Sequence, residues 1–274
     1  MDIDISIDPQ ETSIVIKDFI KTYVKNSKVN GLVVGLSGGI DSAVTALFCK
    51  EAIGIKKVKC IFLPEKTTPK NDYKHCELIA KKFNLTLEKI DITDIVEKIS
   101  LKSLKKPDKY TLANIKARTR MIFLYEYANM TNSLVCWTSN KSEILVGYFT
   151  KYGDGGIDLM PIGDVYKTQV YRLAKYLKIP SDIIKKPPTA GLWKEQSDEK
   201  ELKINYEKLD LILAGLERKM DIDDIADFVK VKKAEVNRIK NMRINSEHKR
   251  RAALIPKVGL RTPGYDWRSP ILKG

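Results

Sequence analysis

The sequence predicts an α/β fold: a doubly wound, mainly parallel sheet with helices on both faces, followed by a helical C-terminal extension. Three observations predict it. Short apolar bursts alternate with helical patterns through the first half of the chain. One burst, "GLVVGLS", breaks into the glycine turn "SGGIDS" and opens a helix at once. After Glu201 the strand pattern disappears and the chain reads as helices alone.

The elements follow in order. "GLVVGLS" precedes a helix from about Asp41 to Ile53, and "KVKCIFLP" precedes one from about Pro69 to Phe83. "NLTLEKI" leads into "DITDIVEKIS", and a long helix from about Leu112 to Met130 leads into the strand "NSLVCWTS". Strands separated by helices imply a parallel sheet covered on both faces, with ligands at the carboxyl ends of the strands. Three segments interrupt this order. "EKISLKSLKKPDKY" reads as a mobile basic loop, and "YFTKYGDGGIDLMPIGD" and "KKPPTAGLWKEQSDEKE" read as functional lids. In the last third, "DIDDIADFVKVKKAEVNRIKNM" has the outline of two helices and a turn, yet lacks the Gln, Asn and Arg cluster that base readout favours, so a packed helical cap is expected. The expected organisation is one domain over 1–274: an α/β core to about 190, a helical part over about 201–251, and an irregular tail over 252–274.

Composition narrows the chemistry. The chain has 274 residues, and 49 Lys and Arg against 35 Asp and Glu make a formal charge of +14. Such a charge suits nucleic acid, small polyanionic substrates or a heat-adapted surface. The acidic N-terminus has no continuous apolar core, and no stretch approaches the roughly 20 apolar residues of a membrane helix. Cys49, Cys60, Cys76 and Cys136 are scattered without a CxxC pair, as expected of reduced thiols in a cytoplasmic protein. Only His75 and His248 are present, so catalysis is expected to rest on carboxylates, lysines and a metal.

The turn itself carries the sharpest signal. Gly38 and Gly39 let the backbone approach a ligand, the amides at the helix start face an anion, and the hydroxyls of Ser37 and Ser42 can donate to phosphate. No Lys closes the loop. Asp41 stands there instead and would repel phosphate unless a divalent cation lay between, so Mg²⁺ is expected.

Ser37-Gly38-Gly39-Ile40-Asp41-Ser42 resembles the pyrophosphate loop of the ATP pyrophosphatases. "NIKARTRMIFLYEYAN", "GYFTKYGDGG", "PIGDVYKTQV", "KPPTAGLWKEQSDEKEL" and "EHKRR" are together similar to ammonia-dependent NAD synthetase, from about Ser13 to the tail. The resemblance implies a five-stranded, adenine nucleotide α-hydrolase-like sheet. It also implies a ligase forming a C–N bond: deamido-NAD, ATP and ammonia would give NAD⁺, AMP and pyrophosphate through an acyl-adenylate. Gly35, Leu36, Ser37, Gly38, Gly39, Ile40, Asp41, Ser42, Thr138, Lys167 and Thr189 match positions that bind ATP, and Asp41 and Glu143 match the metal carboxylates. Arg118, Lys151, Asp158, His248 and Lys249 match positions around deamido-NAD. Asp154 matches a carboxylate near the reacting end, and Asp41, Lys167 and Asp154 are the implied catalytic set. Gly153, Gly155 and Gly156 are expected to permit positive φ in a closing loop. Where the family usually shows Gly-Thr-Gly-Asn, this chain has Trp137-Thr138-Ser139-Asn140, expected to narrow the wall of the nucleotide site.

Ammonia is expected as the nitrogen donor because no glutaminase segment is evident. A homodimer is implied, with Ile115, Ile122 and Phe123 of the long helix as its candidate face; membrane and nucleic acid are not expected partners. A tRNA-modifying ATP pyrophosphatase would use the same loop and welcome the basic surface, and a nucleotide sensor would need DNA binding by the last third.

Overall fold

The computed structural model describes residues 2–193 and 196–268. The chain opens with α1 (Pro9–Ser27), whose N-cap Asp8 accepts from the backbone N–H groups of Gln10 and Glu11. Then come β1 (Gly31–Gly35), α2 (Ile40–Ile53), β2 (Val58–Phe62), α3 (Lys70–Phe83), β3 (Thr86–Lys89), α4 (Thr93–Leu101), α5 (Lys109–Thr131) and β4 (Ser133–Cys136). Short α6 (Lys141–Val146) precedes the glycine-rich segment, which ends at α7 (Lys167–Tyr176) and α8 (Ser181–Ile184). The last part holds α9 (Asp198–Leu202), α10 (Tyr206–Glu217), α11 (Ile222–Val229), α12 (Lys233–Asn245) and α13 (Glu247–Arg250).

The strands run β3-β2-β1-β4, all parallel. Leu32 lies opposite both Val58 and Leu134, which sets the register. Because side chains alternate along a strand, Leu32, Val34, Cys60 and Cys136 enter one core with Ile20 of α1, Leu47 of α2 and Leu173 of α7. Val33, Ile61 and Val135 enter the opposite core with Val96 of α4 and Leu124 of α5. Burial on both faces explains why the strands read as continuous apolar runs.

Among the described residues the sheet has four strands, not the expected five. The segment that would extend it past β4 makes one isolated bridge, Cys136 to Leu159. Trp137 N donates to Leu159 O at 2.9 Å and Asp158 N to Val135 O at 3.0 Å, but Val135 N donates to the Asp158 carboxylate at 2.7 Å. A side-chain oxygen thus takes the donor that a strand carbonyl would take, and Pro161 has no N–H with which to continue. A second expectation shifts as well: the first residues of "EKISLKSLKKPDKY" complete α4 through Leu101, so the loop is shorter than the sequence suggested.

Helices α10, α11 and α12 pack around Leu209, Ile212, Leu213, Ile225, Val236 and Ile239, and Val146 of α6 joins them to the loop after β4.

Candidate active site

Chain order reverses between β1 and β4: from β1 the chain moves outward through β2 and β3, then returns to β1's other side. Ligands in open parallel sheets gather at such a switch point. Two turns meet there, Leu36–Gly39 leading into α2 and Trp137–Asn140 leading into α6.

The first turn is held tightly. Gly38 has φ +74°, and a Cβ on it would lie 2.4 Å from the carbonyl oxygen of Asp72 in α3, so both its conformation and its neighbour demand glycine. Ser42 has a structural part in the turn. It is buried, and its hydroxyl donates to Gly39 O at 3.0 Å while accepting from Ser37 N at 3.1 Å, so it braces the turn from within. Ser37 is exposed at the turn's outer side. Asp41 lies inside α2, whose N-cap is Gly39, so its carboxylate is not spent on capping.

The second turn presents a carboxylate of its own. Asn140 caps α6 by accepting from Glu143 N at 3.1 Å, and Asn140 N donates back to Glu143 Oε2 at 3.4 Å. The Asn140 amide also donates to Asp41 Oδ1 at 3.0 Å, which ties the two turns together. Between the carboxylates stands Lys167, the first residue of α7 and 2% exposed. Its Nζ lies 2.5 Å from Asp41 Oδ2 and 3.5 Å from Glu143 Oε1. Burial works against the ammonium's charge, but Asp41 and Glu143 outweigh it and hold Lys167 above the ordinary lysine range. Burial pushes the Glu143 carboxyl up to about 8, Lys167 pulling it down and Asp41 and Asp198 raising it further.

Lys167 is itself positioned from behind. Its backbone N–H donates to Ser142 Oγ at 2.9 Å, and Ser142 donates to Asp210 Oδ1 at 2.5 Å. Asp210 also accepts from Thr168 N and Thr168 Oγ1, at 2.9 and 2.8 Å. Burial pushes the Asp210 carboxyl up to about 6 against those donors.

These groups open on a cleft of about 240 Å³. Gly35, Leu36, Ser37, Gly39, Ile40, Asp41, Ser42, Thr138, Glu143, Asp154, Lys167 and Thr189 all line it. Four more carry no local signal in the sequence. Arg120, Lys186, Tyr148 and Asp198 also face the cleft. Asp198 is buried, and accepts from Tyr148 OH at 3.0 Å, Tyr206 OH at 3.3 Å and Ala190 N at 3.1 Å. In sequence it sits in the charge run "SDEKE", which looks like an ordinary solvated face. Trp137 turns its ring edge-on to Phe149, with centroids 5.1 Å apart, and is 4% exposed where it meets the cleft.

Arg118, Lys151, Asp158, His248 and Lys249 do not line this cleft. Four of them form a chain beside it: Arg118 donates to Lys151 O at 3.2 Å, Lys151 Nζ to His248 O at 2.6 Å, and Lys249 Nζ to Gly147 O at 2.7 Å. Asp158 is held at the sheet edge by Val135 N and by Tyr125 OH, the latter at 3.0 Å.

The glycine-rich loop also departs from expectation. Its positive φ falls on Tyr152, at 60°, and not on Gly153, Gly155 or Gly156. The glycines answer crowding instead: a Cβ on Gly155 would meet the Phe149 ring at 2.7 Å, and one on Gly153 would meet Thr150 at 2.9 Å. Asp154, between them, is exposed in the cleft and accepts from Thr150 N at 2.8 Å.

Comparison with known proteins places this arrangement. The sequence model of the NAD synthase family matches residues 13–253. An NH3-dependent NAD(+) synthetase of Methanocaldococcus jannaschii is 43% identical over 246 residues, covering 89% of this chain and 95% of the relative. Among solved structures, an NMN synthetase of Francisella tularensis has a TM-score of 0.82 at 31% identity, covering 92% of this chain and all of its own (100%). An NH3-dependent NAD synthetase of Campylobacter jejuni has a TM-score of 0.78 at 33% identity, with the same coverages of 92% and 100%. With its switch-point turns and its Asp41, Lys167 and Glu143 cluster, this chain belongs to the NAD synthase family.

Proposed function

We propose that the protein joins ammonia to the carboxyl group of deamido-NAD at the expense of ATP, giving NAD⁺, AMP and pyrophosphate. One observation carries the reading: the ammonium of Lys167 stands between Asp41 and Glu143 at the mouth of a glycine turn, in a chain whose relatives are named NH3-dependent NAD(+) synthetases. The carboxylate of the acid substrate attacks the α-phosphorus, a new P–O bond forms, and the bond to pyrophosphate breaks. Ammonia then forms a C–N bond at the acyl carbon, AMP leaves with the C–O bond's electrons, and the nitrogen gives up a proton. Adenylation replaces one hard displacement with two easier ones.

The turn at Ser37, Gly38 and Gly39 is the seat we assign to the departing pyrophosphate, with Lys167 neutralising the charge that builds there. Thr138 and Thr189, which both line the cleft, are assigned to ATP. Asp41 and Glu143 are the residues that would hold Mg²⁺, and their chemistry fits. They are two carboxylates around a point that the protein itself fills with a cation, and no group of three His, Cys, Asp or Glu ligands exists among the described residues, so water and phosphate oxygens would complete the shell. Bound there, Mg²⁺ supplies neutralisation of the triphosphate. Asp154 is assigned a place near the reacting carbonyl.

The linked group Arg118, Lys151, His248 and Lys249, outside the cleft, is assigned with Asp158 to the dinucleotide's far end. Arg118 and Ile122 lie one helical turn apart on the outer face of α5, and Ile122 is 62% exposed, which supports a homodimer through that face; Ile115 and Phe123 pack partly into the sheet core. We further propose one domain over 1–274, an α/β core to about 190 carrying a helical part over about 201–251, working in the cytoplasm. No described helix is long and apolar enough to cross a membrane, and the described cysteines are free thiols.

The likeness to the Francisella NMN synthetase favours a second reading, in which the acid substrate is the corresponding mononucleotide. One assay tests both. Purified protein is given ATP, Mg²⁺, an ammonium salt and either deamido-NAD or nicotinic acid mononucleotide, and the amide product, AMP and pyrophosphate are followed together. Equal yields of NAD⁺, AMP and pyrophosphate, lost in Asp41→Ala, are expected. A higher kcat/KM for the mononucleotide would move the assignment to the second reading, and ATP cleavage without either amide would overturn both.

A further inference from the structure

Three cationic side chains line the cleft, a fourth stands behind it, and their partners differ. Lys167 is paired with Asp41, Lys186 Nζ lies 2.7 Å from Asp72 Oδ1, and Lys116, just behind the wall, lies 2.8 Å from Glu65 Oε2. Arg120 has no carboxylate oxygen within 4.0 Å among the described residues. Its Nε donates to Leu63 O at 3.0 Å, at the end of β2, and neither Nη group has a hydrogen-bond partner among the described residues.

The placement is not that of a surface arginine. Arg118, two positions earlier on α5, is exposed and reaches outward to Lys151 O, whereas Arg120 points to the other side and lines the cleft with Met121 and Leu124. The nearest acids are already committed: Glu65 to Lys116 and Thr67, Asp72 to Lys186, and Asp154 to Thr150 N. Desolvation pushes the guanidinium below the usual arginine range, and the more distant charges of Asp154, Glu65 and Asp72 pull the other way. A charge held in that state is stabilised by an anion that enters the cleft.

We infer that Arg120 receives a substrate oxyanion, with Nε fixed on Leu63 O and both Nη groups offered as a fork. A planar fork matches a carboxylate or a phosphate in two parallel hydrogen bonds, which a lysine cannot reproduce. The inference rests on the proposed reaction for its ligands: the carboxylate of the acid substrate and the phosphates of ATP share this chemistry, and Arg120 sits within the field of Asp154, the carboxylate assigned to the reacting end.

Arg120→Lys and Arg120→Gln, checked for unchanged thermal unfolding, are the test. Two quantities are measured on each: the Kd for α,β-methylene-ATP with Mg²⁺ and no acid substrate, and the KM for deamido-NAD at saturating ATP. A rise of about tenfold or more in the first, for Lys as well as Gln, assigns the fork to phosphate. A comparable rise in the second alone assigns it to the acid's carboxylate. If neither moves while wild-type protein still makes NAD⁺, Arg120 only braces Leu63 and the inference is wrong. If the wild type makes no amide at all, the proposed reaction fails, and the Kd measurement still decides whether Arg120 holds phosphate.

Discussion

Lys167 Nζ lies 2.5 Å from Asp41 Oδ2, although the two residues stand 126 positions apart. The pair joins the first turn of α2 to the first residue of α7, so the glycine turn, the Asp41 carboxylate and the Lys167 ammonium form one unit. Replacing Lys167 with Met removes the cation that stands between the Asp41 and Glu143 side chains. The expected result is a fall in kcat of about 10²–10³-fold, the range seen when one preorganised charge-stabilising donor is lost. Initial rates of amide formation at saturating substrates check it, and a change confined to KM would argue against a role in the chemical step.

Glu143 is expected to make the stability of the ligand-free protein depend on pH. Burial raises its carboxyl from 4.5 to about 8, so between those values the folded chain keeps a proton that the unfolded chain has released. The folded state binds more protons there, and stability is expected to fall as pH rises through that window. Glu143→Gln should flatten the slope. Urea unfolding at intervals across the window, without nucleotide, measures it; a variant with the wild-type slope would show that another group is responsible.

Gly38 is expected to tolerate no side chain. Alanine would combine left-handed backbone strain of about 1–2 kcal/mol with a Cβ only 2.4 Å from the Asp72 carbonyl oxygen. Gly38→Ala should therefore lower stability by at least that strain and weaken nucleotide binding, because relief of the clash moves the turn away from α3. Thermal unfolding and the Kd for α,β-methylene-ATP report the two effects separately.

Lys116 and Glu65, each with a side chain 2% exposed, form a buried pair at 2.8 Å. Lys116 also donates to Thr67 Oγ1 at 3.0 Å and to Leu192 O at 2.9 Å, so it ties the segment after β2 to the Thr189 loop. Lys116→Met alone strands a buried carboxylate and is expected to cost about 3–5 kcal/mol. Lys116→Met with Glu65→Leu should recover most of that loss in urea unfolding, while the KM for ATP stays raised because Leu192 remains untied. Full recovery of both would mean that the tether does not position the loop.

Much of the candidate site was legible because it is local. "SGGIDS" marks a tight strand-to-helix turn within six residues, and Asn140 and Glu143 stand at capping-box spacing. Arg120 and Asp198 were not legible for the opposite reason. Arg118 and Arg120 are alike in sequence, and only the rotation of α5 sends one outward and the other into the cleft. Asp198 looks like any acid in a charge run until Tyr148, Tyr206 and Ala190 converge on it.

By itself the sequence determined the alternation of strands and helices, the parallel sheet and the glycine turn at the strand-to-helix junction, since each follows from periodicity and from conformations that only glycine adopts readily. Tertiary structure decided the rest. The fifth strand fails because the Asp158 side chain takes the donor of Val135, a contact that no local pattern encodes. The loop glycines are required by the Phe149 ring and Thr150, while positive φ falls on Tyr152. Strand order, and with it the meeting of Asp41, Glu143 and Lys167, is settled only when both faces of the sheet are buried and residues far apart in the chain share one cleft.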